Sequence, residues 1–322
     1  MAVHELDLER RSSRPDPHDD GRRPFGGPLQ LVVTGAVILV PFLAALLAIT
    51  GLIGERISWF DLGLLVAGYV VTVLGVTAGY HRLFTHRSFV ARRPLKIALA
   101  VLGSCALQGS LVSWVTTHRR HHQCSDRPGD PHSPVSPTPR SQWSGLLHAH
   151  VGWLFRVPAP ARRRDAADLL IDRDLRVVSG LFPLFAALTL AVPFFVGWAV
   201  VGTVGGAVTA LIWGGLVRIF LAHHLTWSIN SVCHMVGKQP FRTTDESRNV
   251  AALSVLSMGE SWHNAHHAFP MLARHGVDRR QVDLTAACIR IWERFGLVHT
   301  VHWPDATKLS LRRIPVAAAV GA

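Results

Sequence analysis

The chain has 322 residues, 49% of them hydrophobic and only 17% charged, with a mean hydropathy of +0.26. So apolar a balance excludes an ordinary soluble domain and calls for membrane spans. The formal net charge of +12 would also suit a nucleic-acid binder, but the basic residues flank apolar stretches. Anionic headgroups and a phosphate-bearing substrate are therefore the expected partners, with no nucleic acid.

In chain order, residues 1–27 are polar and mixed in charge, without an early apolar core. They read as a disordered cytoplasmic tail rather than a cleaved signal. Two apolar stretches follow, 29–53 and 59–80, each long enough to cross a bilayer. A short turn at Gly54 and Glu55 joins them. Residues 95–115 are less apolar, interrupted by Ser104, Gln108 and Ser110, and read as an interfacial or buried helix rather than a fifth span. Residues 134–139 form a Pro/Ser-rich loop. Two further apolar stretches, 177–198 and 204–223, are joined at Gly202. The expected fold is all-α: four transmembrane helices in two hairpins within residues 28–305, followed by a C-terminal tail, 306–322.

Lys and Arg set orientation. Arg22 and Arg23 precede the first stretch. Arg82, Arg87, Arg92, Arg93, Arg119, Arg120 and Arg162 to Arg164 fill the middle, and Arg242, Arg274, Arg279 and Arg280 follow the fourth stretch. The two short turns are almost free of basic residues. Both termini and the middle segment are thus expected in the cytoplasm, with the chain multi-pass in the membrane, the cytoplasmic membrane if the cell is bacterial. Cys105, Cys124, Cys233 and Cys288 are scattered, so neither a disulfide framework nor a thiolate zinc site is indicated.

The 19 histidines are the anomaly. Three clusters stand out: HRLFTH with His81 and His86, HRRHH with His118, His121 and His122, and HNAHH with His263, His266 and His267. On a helix, positions i, i+3 and i+4 share a face, so each HxxHH brings imidazoles together as a metal requires. HxxxxH does not share a face, so one of its histidines is expected at a helix end or a distortion. Eight histidines in one compartment exceed the needs of one ion and argue for two metals held by a cytoplasmic helical cap. Asn230 and His234 lie four apart after the fourth stretch; by spacing alone His234 is either a ligand or a packed histidine.

With these boxes and their flanks (TAGYH ending at His81, DPH ending at His132, HVGW ending at Trp153, NSVCH ending at His234 and GESWH ending at His263) the chain resembles the acyl-CoA delta-9, stearoyl-CoA type desaturases, in an actinobacterial-like form, over roughly residues 29–300. The resemblance implies nine metal-binding histidines at His81, His86, His118, His121, His122, His234, His263, His266 and His267, with Asn230 reaching a metal through water. It implies two iron ions, O2 as co-substrate, and a cis double bond placed in a saturated C16–C18 fatty acyl-CoA. It also implies a narrow bent tunnel, kinked at Gln108, Trp114, Thr226 and Trp227 and ending at Tyr69 and Val73. His132, His148, His150, His223, His224 and His275 are left as structural or supporting residues. Animal members carry Arg-Asp near the CoA headgroup where this chain has Thr116 and Thr117, so headgroup recognition does not carry over. Arg92, Arg93, Arg119 and Arg120 are the weaker candidates for phosphate.

An unactivated methylene yields hydrogen to no amino-acid side chain, so the metals must carry the oxidation. The protein's part is to fix one methylene among many that are chemically alike. No cytochrome b5-like domain, dinucleotide fingerprint or ferredoxin cysteine set is evident. Electrons are thus expected from a separate ferredoxin, cytochrome b5-like protein or flavoprotein reductase. A related membrane di-iron hydroxylase or ketolase is the enzymatic alternative, and a metal transporter or sensor the non-enzymatic one. Transport would favour ionisable groups deep within the spans, where Arg218 stands alone.

Overall fold

The computed structural model of the chain describes residues 27–51, 57–135, 141–156 and 163–315. The expected tail before residue 27, Arg22, Arg23, Arg162, the turn at Gly54 and Glu55, and residues 136–140 of the Pro-rich loop lie outside the described residues. Among the described residues four helices are long and apolar enough to cross a membrane: span 1, Pro28–Ile49; span 2, Trp59–Thr85; span 3, Phe182–Val201; and span 4, Val204–His234. The all-α membrane fold expected from the sequence is thereby observed. The one sheet among the described residues is a two-residue antiparallel pairing of Val90–Ala91 with Val298–His299.

Spans 2 and 4 run on past the expected ends at 80 and 223. With 27 and 31 residues they measure about 40 and 46 Å at helical rise, against a hydrocarbon layer of about 30 Å. The surplus lies at the C-terminal end of each, where the histidines are. Span 2 changes its winding there: residues Gly75–Thr85 form a π-helix. Close packing accompanies the change, since a Cβ on Gly75 would stand 2.3 Å from the backbone of Gly103.

The segment expected as one helix over 95–115 is two. Arg93–Ser104 and Leu111–Cys124 are separated by a break in which Leu107 and Gly109 adopt φ of 60° and 105°, left-handed values that end a helix. Ser110 restarts it, its side chain accepting from Ser113 N. The third apolar stretch is likewise divided. Arg173–Gly180 is a separate surface helix, and span 3 begins only at Phe182, with proline in its first turn. The C-terminal residues expected as a tail include the helix Ala306–Arg312, tied back by Arg312, which donates to Ala268 O at 2.8 Å.

Arg218 lies buried in span 4 with only neutral oxygens around it. It donates to Gly214 O at 3.1 Å, Cys105 O at 3.2 Å, Thr189 Oγ1 at 2.7 Å and, more weakly, Thr72 Oγ1 at 3.4 Å. Two acceptors are available for local reasons. Pro193 in span 3 has no N–H to give Thr189 O, which instead receives a long bond from Arg218, and Cys105 follows the end of Arg93–Ser104. One guanidinium thus joins spans 2, 3 and 4 to the break. Arg218→Met should strand these oxygens and cost about 2–4 kcal/mol. Thermal unfolding in nanodiscs checks this, and an unchanged melting temperature would show that water or lipid solvates the same atoms.

Candidate metal centre

The π-helical winding explains the HxxxxH spacing. In an i→i+5 turn, the residue five positions on returns to the same side, and the His81 and His86 rings stand 4.8 Å apart. His118, His121 and His122 project from Leu111–Cys124, and His263, His266 and His267 from the short helix His263–Ala268. His234 closes the 3-10 turn that ends span 4.

The structure brings all nine together in two groups. One contains His81, His86, His118, His122 and His266; the other His121, His234, His263 and His267. Within each group one ring nitrogen per residue lies within 4.8 Å of every other. Asn230 lines the space beside them. No signal in the spacing of the boxes divides them this way, since the second and third boxes each contribute to both groups.

Behind the rings stand carboxylates. His121 Nδ1 faces Asp130 at 3.0 Å, His234 Nδ1 faces Asp126 at 2.8 Å, His267 Nδ1 faces Asp245 at 2.8 Å, and His81 Nδ1 contacts Glu260. A carboxylate at Nδ1 holds the proton there and leaves the Nε2 lone pair free. Burial would push the Asp130 carboxyl up, but the facing His121 overrides it and holds it well below the usual carboxylate range. Glu260 is likewise lowered against its burial by His81 and Arg82. Arg82, itself fully buried, donates to Glu260 at 2.9 Å and Asp283 at 3.0 Å, locking span 2 to the third box.

Facing Nε2 atoms approach to 3.1 Å for His81 and His266, 3.0 Å for His122 and His266, 3.0 Å for His234 and His263, and 3.3 Å for His121 and His267. Burial, reinforced by neighbouring histidines, holds His86, His118, His122, His263, His266 and His267 well below the ordinary imidazole range, so these rings are neutral. His86 Nε2 is buried without a hydrogen-bond partner. Converging neutral lone pairs repel one another unless a cation lies between them. Metal–nitrogen bonds of about 2.0–2.1 Å would set neighbouring nitrogens about 3.0–3.4 Å apart. The residues present therefore fit a pair of metal ions.

Two cavities meet at this centre. The outer one, about 370 Å³, is lined by Gln108, Trp114, Thr117, Thr226 and Trp227 among others. The inner one, about 50 Å³, reaches Val73 and Val76. Trp114, His118, Thr226 and Asn230 line both. At the junction Gln108 Nε2 donates to Thr226 Oγ1 at 2.9 Å, and Trp114 Nε1 donates to Gln108 Oε1 at 3.2 Å. Val73 is buried against Ala222 and Met258, with Tyr69 beside them donating to Leu256 O at 2.8 Å. The four arginines named for phosphate do not line either cavity. Arg93 is paired with Asp174 and Arg119 with Asp168, and Arg156 is the cationic residue on the outer wall. Asp126, Asp130, Asp245 and Glu260, which orient the rings, were not identified in the sequence. Asp130 and Glu260 did lie in the quoted flanks, within ten residues of a box.

A helical bundle with four apolar spans and two histidine groups able to hold metal ions where two cavities meet defines the class. The sequence profile described as fatty acid desaturase matches residues 57–290. The chain is 36% identical over 280 residues to hex-5-enoyl-[acyl-carrier protein] acetylenase of Moorena producens, covering 86% of this chain and 87% of that one. It is 34% identical over 284 residues to delta-9 acyl-lipid desaturase 1 of Arabidopsis thaliana, covering 87% and 86%. It is 36% identical over 253 residues to acyl-CoA C20 delta5-desaturase of Anemone leveillei, covering 77% and 76%. The chain belongs to the fatty acid desaturase family.

Because His86, His118, His122, His263, His266 and His267 have lowered pKa values, against a raised one at His121, the unfolded chain takes up protons that the folded one refuses. Stability of the metal-free protein should therefore be full above about pH 6.5 and fall as the pH drops below it. Melting curves of metal-free and iron-loaded protein between about pH 8 and pH 5 check this. A metal-free melting temperature that rises on acidification would contradict the neutral-ring assignment.

Proposed function

We propose that this protein is an O2-dependent di-iron desaturase that places a cis double bond, at carbon nine, in a saturated C16–C18 fatty acyl chain carried as a thioester of coenzyme A. The observation that carries the reading is the position of the two histidine groups at the junction of the outer and inner cavities. His81, His86, His118, His122 and His266 hold one iron. His121, His234, His263 and His267 hold the other, and Asn230 reaches a metal through water. Bound iron supplies the oxidising power, drawn from O2, that no side chain has. Electrons come from a separate ferredoxin, cytochrome b5-like protein or flavoprotein reductase. Both termini and the histidine cap face the cytoplasm.

The chain's own residues supply position. The hydrogen bonds from Trp114 to Gln108 and from Gln108 to Thr226 hold the walls of the junction, so a chain that follows both cavities passes beside His118 and Asn230. Val73 and Tyr69 stop the methyl end. Val73 lies eight residues before His81, about 12 Å of helix, the order of length needed by the carbons beyond position nine. The relatives named above act on different carriers, so the thioester rests on the resemblance of the boxes rather than on any arginine seen at the cavity.

Expression in a lipid-making host, with double-bond positions read by mass spectrometry, tests the reading. Delta-9 products that disappear in His266→Ala support it; hydroxylated products would favour the hydroxylase alternative. Val73→Ala should shift preference toward the longer acyl chain, and Val73→Phe toward shorter chains or loss of turnover. One or two methylenes correspond to about 1–3 kcal/mol of discrimination. Competition among C14, C16 and C18 substrates measures this, and unchanged preference in both variants would remove Val73 from the tunnel end.

A further inference from the structure

One wall of the outer cavity is unlike the rest. Gln30, Val33, Thr34, Val37 and Ile38 of span 1 line it, spaced as one face of a helix. No residue of the stretch 28–40 is buried, and Val33 is 51% exposed although it faces the cavity. A side chain on Gly35 would meet nothing within 4 Å. The first buried position is Pro41, followed by Ala44 and Ala45, and from there span 1 packs on span 4 through Ala45, Ile212 and Val217. The proline stands at the boundary between the unpacked and packed halves. It has no N–H to give Val37, so the helix ladder is interrupted at that point. Phe182 and Ala186, from the first turns of span 3, also line the cavity. Both spans cross the membrane, so a parting between them opens onto hydrocarbon rather than water.

We propose that residues 28–40 form a side gate hinged at Pro41, through which an acyl chain passes from the lipid layer into the outer cavity, so that the substrate is a chain already lying in the membrane. This rests on the assignment of that cavity to the acyl substrate. A chain drawn lengthwise from water would expose each methylene on the way. A chain admitted sideways keeps apolar surroundings throughout. The packed half of span 1 stays fixed on span 4, so the motion leaves the metal centre undisturbed.

Isolated membranes of a host in which the unaltered chain forms double bonds provide the test. A Val33→Cys, Ala186→Cys pair is joined by a flexible bis-maleimide, with rates referred to the same variant before bridging and the reagent alone tested on the unaltered chain. Deuterated palmitoyl chains are supplied either as phosphatidylcholine or as palmitoyl-CoA. Bridging before the probe is added should lower deuterated product about tenfold or more for whichever probe is used. Bridging under nitrogen after loading, followed by air, should yield a single turnover. Pro41→Ala, which restores the missing hydrogen bond, should slow steady turnover without moving the double bond. Turnover by the bridged protein at the unbridged rate overturns the gate. Absence of double bonds with the unaltered chain would instead defeat the reading of the cavity itself, and the gate with it.

Discussion

Everything in this fold answers to the repulsion among nine converging imidazole nitrogens. Buried ring nitrogens set about 3 Å apart cost free energy where neither a proton nor a cation lies between them. The protein holds them there by placing a carboxylate behind several rings and by embedding the whole set between helices that cannot move apart. Asp130, Asp126, Asp245 and Glu260 fix which nitrogen carries the proton. The long spans 2 and 4 then carry their share of the rings beyond the hydrocarbon layer, where polar segments can close around them.

Two buried arginines maintain that enclosure in different ways. Arg82 is matched by Glu260 and Asp283, a compensated set whose removal of one member would leave charge stranded. Because Glu260 also contacts His81, the ion-pair set that locks span 2 to the third box also orients a ring. Arg218 has no carboxylate. It is solvated by carbonyl and hydroxyl oxygens made available at a proline, at a helix end and along its own π-wound segment. The irregular backbone of spans 3 and 4 and the interrupted segment after Ser104 thus meet at one cation, which fixes the break that carries Gln108 to the cavity junction.

The helices and the boxes were legible in the sequence for simple reasons. Apolar stretches of twenty residues have few other uses, and HxxHH repeated twice is rare enough to state its purpose. HRLFTH was legible only as an irregularity; the winding that resolves it depends on Gly75 and on the close approach of Arg93–Ser104, a tertiary fact. Asp126 is not legible because it meets His234 across 108 positions, and no local spacing reports such a contact. The break within 95–115 was hidden because Leu107, at φ 60°, is not a residue that announces a left-handed turn. Arg93 and Arg119 illustrate the converse error. Basic residues near a site look available until Asp174 and Asp168 are seen to hold them.

The account reduces to two metal positions where two cavities meet. Anomalous scattering at the iron edge, from crystals of the active protein, tests this most directly. Two peaks are expected, one enclosed by His81, His86, His118, His122 and His266, the other by His121, His234, His263 and His267. A single peak, or peaks away from these rings in protein that still forms double bonds, would contradict it.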